Sequence, residues 1–376
     1  MNIGIPSEIR EYECRVAATP ETVKKIIALG CQVLVQKGAG ERASISDEAY
    51  QTAGAELVSA IEAYQADVIL KVRAPESSEI KAMQAGTVLI GLLESFNLLL
   101  LKEMADAGLT AFSLEALPRN SRAQSMDVLS SQANVAGYKA VLLASHFYQR
   151  FMPMLMTSAG TVKAARVLIL GAGVAGLQAI ATAKRLGAVV EASDVRPAVK
   201  EQIESLGAKF LDVPYETEEE KEAAAGVGGY ARPMPASWMA RQAALVAQRA
   251  AEADIVISSA LIPGREPPIL INAETVANMK PGSVIIDMAA GTSKTGAGNC
   301  PLTQANEVVV KHGVTIVGYT NLPSLVAADA SAFYARNMLE FLKLLIVEGK
   351  LHIPADDELV IASLMCKDGK LIEKCK

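Results

Sequence analysis

Histidine is scarce in this chain: three residues in 376, His146, His312 and His352, beside a single tryptophan and an aromatic fraction of 5%. A dehydrogenase acting on an alcohol or amine moves a proton with its hydride, so it needs an acid/base side chain, most often histidine, beside the substrate carbon. His146 falls in a Gly-poor helical stretch, His312 beside Lys311 in a polar turn, and His352 near a polar tail. None follows a strand-like run, so each reads as structural. No Ser-His-Asp arrangement and no metal-ligand spacing occurs. The five cysteines, Cys14, Cys31, Cys300, Cys366 and Cys375, are odd in number and scattered, which argues for reduced thiols in the cytosol and against a disulfide framework or zinc site. No run of 18 apolar residues is present; the longest candidate, Val88 to Met104, is broken by Glu94, Asn97 and Lys102. Direct membrane insertion by a helix is thereby excluded. A net charge of −5 leaves no electrostatic footprint for nucleic acid. The start, MNIGIPSEIREYE, lacks the basic and apolar regions of a signal peptide.

What is present is a nucleotide-binding signature. Val167 to Leu170 is a buried-strand run, followed by Gly171, Gly173 and Gly176 at G-x-G-x-x-G spacing, then an Ala/Leu-rich helical segment that stops at Gly187. A second apolar run leads to Asp194, 23 residues after Gly171. Gly171 permits the tight turn, Gly173 lets a pyrophosphate approach the backbone, and Gly176 lets helix and strand pack. The helix start at Val174 and Ala175 offers free N–H groups to phosphate, and Asp194, with Val195 and Arg196 after it, stands where an acid takes the ribose hydroxyls. The acid favours NAD over NADP by repelling a 2′-phosphate, while Arg196 works against that preference.

Strand-like and helix-like segments alternate from Asn2 to Ala116, with strands expected at Asn2–Pro6, Gln32–Val35, Ala66–Val72, Gly86–Leu93 and Leu109–Ala116. Further strands are expected at LGAKFLDV, Asp254–Ser258, Ser283–Met288 and Val314–Gly318. With 51% hydrophobic residues, this predicts aliphatic parallel sheets buried on both faces. The expected fold class is α/β: two Rossmann-like doubly wound parallel-sheet domains with a cofactor cleft between them. Ser121–Phe151 reads as a long helix joining them, and the helix Ala327–Leu345 with a polar hairpin-like tail returns to the first domain. The expected division is 1–126 with 320–376, a discontinuous α/β domain, and 127–319, the NAD(H)-binding domain. The stretch Tyr215–Pro235 is too long and irregular for an ordinary connection; a mobile functional loop and a disordered insertion both fit it. SSALIPG, at the end of a strand, lies where open α/β sheets bind ligands.

The segment Pro118–Tyr138, PRNSRAQSMDVLSSQANVAGY, is crowded with polar groups, Arg119, Arg122, Gln124, Asp127, Ser130, Ser131, Gln132 and Asn134 among them. By its residues it is either a capped, solvated helix start or a loop that touches a ligand.

Together with GIPSEIREYECRVAATP and GAGVAGLQAIATAKRLGAVVEASDVRP, this segment closely resembles the NAD(H)-binding region of proton-translocating NAD(P) transhydrogenases, within the alanine dehydrogenase/transhydrogenase superfamily, over essentially the whole chain. The resemblance implies that Arg119, Gln124 and Asp127 serve the hydride-transfer step at the nicotinamide end of NAD(H). It implies cofactor contacts at Arg122, Ser130, Gly229, Tyr230, Ala260 and Leu261. The implied partners are an NADP(H)-binding subunit, a transmembrane proton-channel subunit and a second copy of this chain. The implied location is the cytoplasm, peripherally attached to the inner face of the cell membrane through those subunits, with this chain a separately encoded soluble subunit or a piece of a longer one. Alanine dehydrogenase is the alternative. Its substrate charges correspond to Arg15 and Lys71, but its catalytic His and Asp correspond to Glu94 and Gly291, so Arg15 and Lys71 read as retained structural or ancestral charges. A redox-inactive NAD-binding module is a further alternative, and intact nicotinamide-positioning residues speak against it.

Overall fold

The computed structural model describes residues 1–225, 234–261 and 265–372. The chain forms two compact units, Met1–Gln132 with Pro323–Lys376, and Ala133–Leu322.

The first unit is built on an eight-stranded sheet in the order Lys370–Leu371, Leu364–Lys367, Thr110–Ser113, Val88–Leu92, Val68–Arg73, Asn2–Ile5, Gln32–Gln36, Glu56–Val58. Its neighbours are parallel except for the two C-terminal strands, which add antiparallel beyond Thr110–Ser113. The central strands read as unbroken apolar runs because helices cover both faces; in Val68–Arg73 the first five residues are all buried. Helix Pro20–Ala28 starts on a proline, buries Val23 and Ile26, and is followed by Gly30 at φ +89°. Helix Ala327–Leu345 seats Tyr334 and Phe341 in this core, where the Phe341 ring lies 5.6 Å from that of Phe112.

The second unit holds a seven-stranded sheet ordered Lys209–Phe210, Val189–Ser193, Arg166–Leu170, Ile255–Ser258, Val284–Asp287, Val314–Val317, Val308–Lys311. All pairs are parallel except the last. Chain order reverses across Arg166–Leu170 and Ile255–Ser258, whose ends Leu170 and Ser258 are partners in register. This is the topological switch point at which doubly wound sheets open a crevice.

Several expectations shift by local detail. The long helix runs Val128–Phe147 and does not begin at Ser121; Gln124–Met126 instead forms a separate 3-10 turn. Leu114–Ala116 leaves the sheet as a 3-10 turn, and LGAKFLDV contributes only Lys209–Phe210. The supposedly irregular stretch from Tyr215 contains helix Glu218–Ala225. The helix is anchored by Glu220, whose carboxylate accepts from Ser237 Oγ, Arg241 Nη2 and Glu216 N at 3.0, 2.8 and 2.7 Å. Residues 226–233, with Gly229 and Tyr230, lie outside the described residues. The hairpin Leu155–Thr157/Gly160–Val162 and the edge strand Val308–Lys311 were not anticipated, being short and largely exposed, while Ile346–Val347/Lys350–Leu351 forms a hairpin in the expected hairpin-like tail. Among the described residues no helix is long and apolar enough to cross a membrane.

Candidate nucleotide site

In the second unit the glycine turn connects Arg166–Leu170 to helix Val174–Arg185. Gly171 has φ +96°, and a Cβ there would stand 2.8 Å from Ser259 Oγ. At Gly176 a Cβ would stand 1.9 Å from the carbonyl oxygen of Gly171, so only hydrogen fits. Gly173 differs from both: its φ of −74° is ordinary, and a Cβ would have no neighbour within 4 Å. Open space in front of a twelve-residue helix start, with Gly173 and Val174 exposed, is what a pyrophosphate needs. The geometry fits a dinucleotide.

Asp194 follows strand Val189–Ser193 and reaches back to the turn, where its Oδ2 accepts from Ala172 N at 2.7 Å. Its Oδ1 takes Arg196 N and Nε at 2.9 and 3.0 Å, and its Oδ2 takes Arg196 Nη2 at 3.0 Å. Each oxygen therefore already has two donors, the usual capacity of a carboxylate oxygen. Arg196, expected from its position to work against the acid, lies directly on it: hydroxyls reach Asp194 only when the Arg196 side chain gives way. Arg196 is partly exposed and can swing out to water, whereas Asp194 is nearly buried and keeps its bond from the turn.

At the switch point, Ser259 Oγ donates to the Gly171 carbonyl at 3.1 Å. Ala260 is held by Asn299, and Leu261 is 49% exposed; Ile262 to Gly264 lie outside the described residues. Sequence reasoning passed over Asn299 and Asp287, both fully buried. The acid closing the buried run VIID was the only available signal. Trp238 is buried in helix Ala236–Glu252, with Nε1 donating to Val213 O at 3.3 Å and its ring stacked on Tyr215.

In the first unit, the polar segment proves to be both a cap and an open pocket. Asp127 accepts from Ser130 N and Oγ at 2.9 and 2.5 Å and so caps the long helix. Asn337 Nδ2 donates to Ser125 O at 2.7 Å, and Asn120 Oδ1 accepts from Ala123 N at 2.9 Å, fixing the 3-10 turn. Arg122, expected at the cofactor, is engaged in an ion pair with Asp357, the cap of helix Glu358–Ser363. Beside these anchors opens a pocket of about 320 Å³ lined by Pro118, Arg119, Asn120, Ser121, Ala123, Gln124 and Asp127. Arg119 and Gln124 are exposed there, and Asp127 is half-buried.

Arg15 and Lys71, which correspond to substrate charges of alanine dehydrogenase but read here as structural, are neutralised within the protein. Arg15 pairs with Glu13 and donates to Gln132 Oε1 at 2.7 Å; Lys71 lies 2.6 Å from Glu79 and 3.2 Å from Glu8. Both cations are almost wholly buried. Burial raises the Glu8 carboxyl above its ordinary range against the opposing pull of Lys71. Glu94, at φ +58°, pairs with Arg10 at 2.6 Å. Its burial would raise its pKa, but Asn97 and Arg10 outweigh that and hold it below the usual value, so it stays ionised at neutral pH. Gly291 has φ +79°, and a Cβ there would meet Thr320 Cγ2 at 2.7 Å. His146, His312 and His352 are all exposed; His312, against expectation, directly follows a strand, the edge strand Val308–Lys311.

The alanine dehydrogenase/PNT N-terminal domain matches residues 4–136, and the C-terminal domain of the same name matches residues 140–374. The chain belongs to the alanine dehydrogenase/PNT family. Within this family it is 48% identical to the first part of NAD(P) transhydrogenase subunit alpha from Rhodospirillum rubrum, over 99% of this chain and 98% of that one. It is 29% identical to alanine dehydrogenase of Halomonas elongata, over 99% and 94%. Among solved structures, a transhydrogenase from Sinorhizobium meliloti matches with a TM-score of 0.85 and 44% identity, covering 99% of both chains. A solved L-alanine dehydrogenase matches with a TM-score of 0.79 and 26% identity, covering 99% of this chain and 97% of that one, so both branches share the fold and the identities separate them.

Proposed function

We propose that the chain is the NAD(H)-binding subunit of a proton-translocating NAD(P) transhydrogenase. In this reading hydride passes directly between its NAD(H) and NADP(H) held by a partner subunit, coupled to proton movement through a membrane subunit. The observation that carries this choice within the family is the loss of proton-handling groups. Where an alanine dehydrogenase needs an acid and a base, this chain has Glu94 ionised against Arg10, and Gly291 at φ +79°, a backbone conformation that side chains rarely adopt. Transfer between two nicotinamides exchanges no proton at carbon, so the site needs positioning alone.

The N–H groups at Val174 and Ala175 would hold the pyrophosphate, Asp194 with Val195 and Arg196 the adenosine ribose, and Ala260 and Leu261 the nicotinamide half. Arg119, Gln124 and Asp127 are the groups assigned to the nicotinamide end, with Ser130 keeping Asp127 in place. Arg122 acts through Asp357 as an anchor of that segment. The exposed hairpin bearing Leu155, Met156 and Val162, with Met154 before it, supports assembly as a homodimer that covers it. The names of the relatives and the lack of a crossing helix among the described residues support a peripheral place at the inner face of the cell membrane, held by partner subunits.

The test is to mix the chain with an NADP(H)-binding transhydrogenase subunit and follow hydride exchange between NADH and an NADP⁺ analogue. Exchange that requires both proteins is expected. Steady reduction of NAD⁺ by L-alanine at ordinary enzyme rates, or no exchange in the mixture, overturns the proposal.

A further inference from the structure

Asn299 stands in a glycine-rich segment, TGAGNC, to which no function has been attached so far. Its side chain is fully buried and has three partners, all backbone atoms of the segment after strand Ile255–Ser258. Oδ1 accepts from Ala260 N at 3.2 Å, and Nδ2 donates to Ala260 O and to Pro268 O, both at 2.8 Å. The Asn299 carbonyl accepts from Leu270 N and Ile271 N at 2.9 and 3.2 Å. One residue therefore grips Ala260 and the returning chain at Pro268 together.

Asn299 is itself held from below. Asp287, fully buried at the end of strand Val284–Asp287, accepts from Asn299 N, Cys300 N, Thr303 Oγ1, Ala289 N and Ser258 Oγ, at 3.1, 3.0, 2.7, 3.1 and 3.3 Å. A Cβ at Gly298 would stand 2.5 Å from Asp287 Oδ1, so the segment can approach the carboxylate only as glycine. The relay runs Asp287, Asn299, Ala260, and ends at the switch point, where Gly171 is crowded by Ser259 and by Ala260 N.

From this geometry we infer that Asn299 is a positioning residue for the nicotinamide half of the bound dinucleotide. The inference rests on the proposed nucleotide site. The side is decided by topology: Val189–Ser193, bearing Asp194, and Ile255–Ser258, bearing Ala260, flank Arg166–Leu170 on opposite sides. If Asp194 serves the adenosine ribose, the Ala260 turn meets the other half. Asn299 touches no ligand; it sets where Ala260 presents its backbone. Without the amide the part-buried carbonyls of Ala260 and Pro268 would both lose their donor, and the turn would rearrange to reach water.

The test uses Asn299→Asp, which keeps shape and the acceptor for Ala260 N but loses both donors, beside Asn299→Ala. NADH and 5′-AMP are titrated by calorimetry against the full chain. The expected result is at least a tenfold weaker NADH affinity in both variants, with AMP affinity within twofold of the parent in Asn299→Asp. Parental NADH affinity in Asn299→Asp, or loss of NADH and AMP alike in both variants, overturns the inference. Failure of the unmodified chain to bind NADH would instead refute the nucleotide site itself.

Discussion

Gly173 and Gly176 sit in one turn and should respond to the same substitution in opposite ways. Gly176→Ala places a Cβ 1.9 Å from the Gly171 carbonyl oxygen, where ordinary contacts begin near 3.4 Å. The contact is backbone on backbone, so helix Val174–Arg185 must move by more than 1 Å, about the length of a bond, against a close-packed sheet. Overpacking of this kind costs about 1–3 kcal/mol. At about 2 kcal/mol, a unit of this size should lose about 4–8 °C in Tm. Gly173→Ala meets nothing within 4 Å and keeps an allowed φ of −74°, so it costs only the change of N-cap residue, about 1 kcal/mol or less. Its methyl group fills the space in front of the helix start, and NADH affinity should fall at least tenfold, about 1.4 kcal/mol. Denaturant unfolding and NADH titration of both variants separate the effects. Parental NADH affinity in Gly173→Ala, or unchanged stability in Gly176→Ala, would refute the reasoning.

Asp194→Asn should narrow the preference for NADH over NADPH, because it removes the carboxylate and frees Arg196 for a 2′-phosphate; competitive titration of the two nucleotides reads this directly. Gln124→Asn should slow single-turnover hydride transfer in the reconstituted mixture by about 10²-fold while NADH affinity stays within a few-fold, since a misplacement of about 1 Å affects rate more than binding. Asp357→Asn keeps the helix-capping oxygen but removes the charge paired with Arg122, whose hydrogen bond lowers the Asp357 pKa below its ordinary 3.8. A depressed pKa gives stability above the unfolded value that is lost as pH falls through the folded one. The stability gap between parent and variant in urea should therefore be constant above about pH 4, close further down, and shrink in high salt.

Features set by neighbours along the chain were legible in the sequence. Gly171, Gly173 and Gly176 announce a strand-turn-helix because backbone sterics act within a few residues. Runs such as VILKV and VIID announce strands covered on both faces because alternation disappears when both sides are buried. The start of the long helix was placed too early because Ser121–Asp127 carries capping residues at several positions, and only the contact of Asn337 with Ser125 fixes the 3-10 turn. Helix Glu218–Ala225 was obscured by its acidic run, which is stabilised by a buried Glu220 bound to Ser237 and Arg241 across the chain.

The family, the α/β class and the glycine turn follow from the sequence by itself, since each rests on spacing. Tertiary structure decided which charges remain available. Arg15 and Lys71 read as structural charges, but only the fold shows Glu13, Glu8 and Glu79 as their partners, and only the fold shows Arg196 closed on Asp194. Asn299 has no signature at all, because its three partners belong to residues 31 and 39 positions away. Whether a polar side chain is spent on the fold or left for a ligand depends on what the fold brings within about 3 Å of it, and that distance is not written in local sequence.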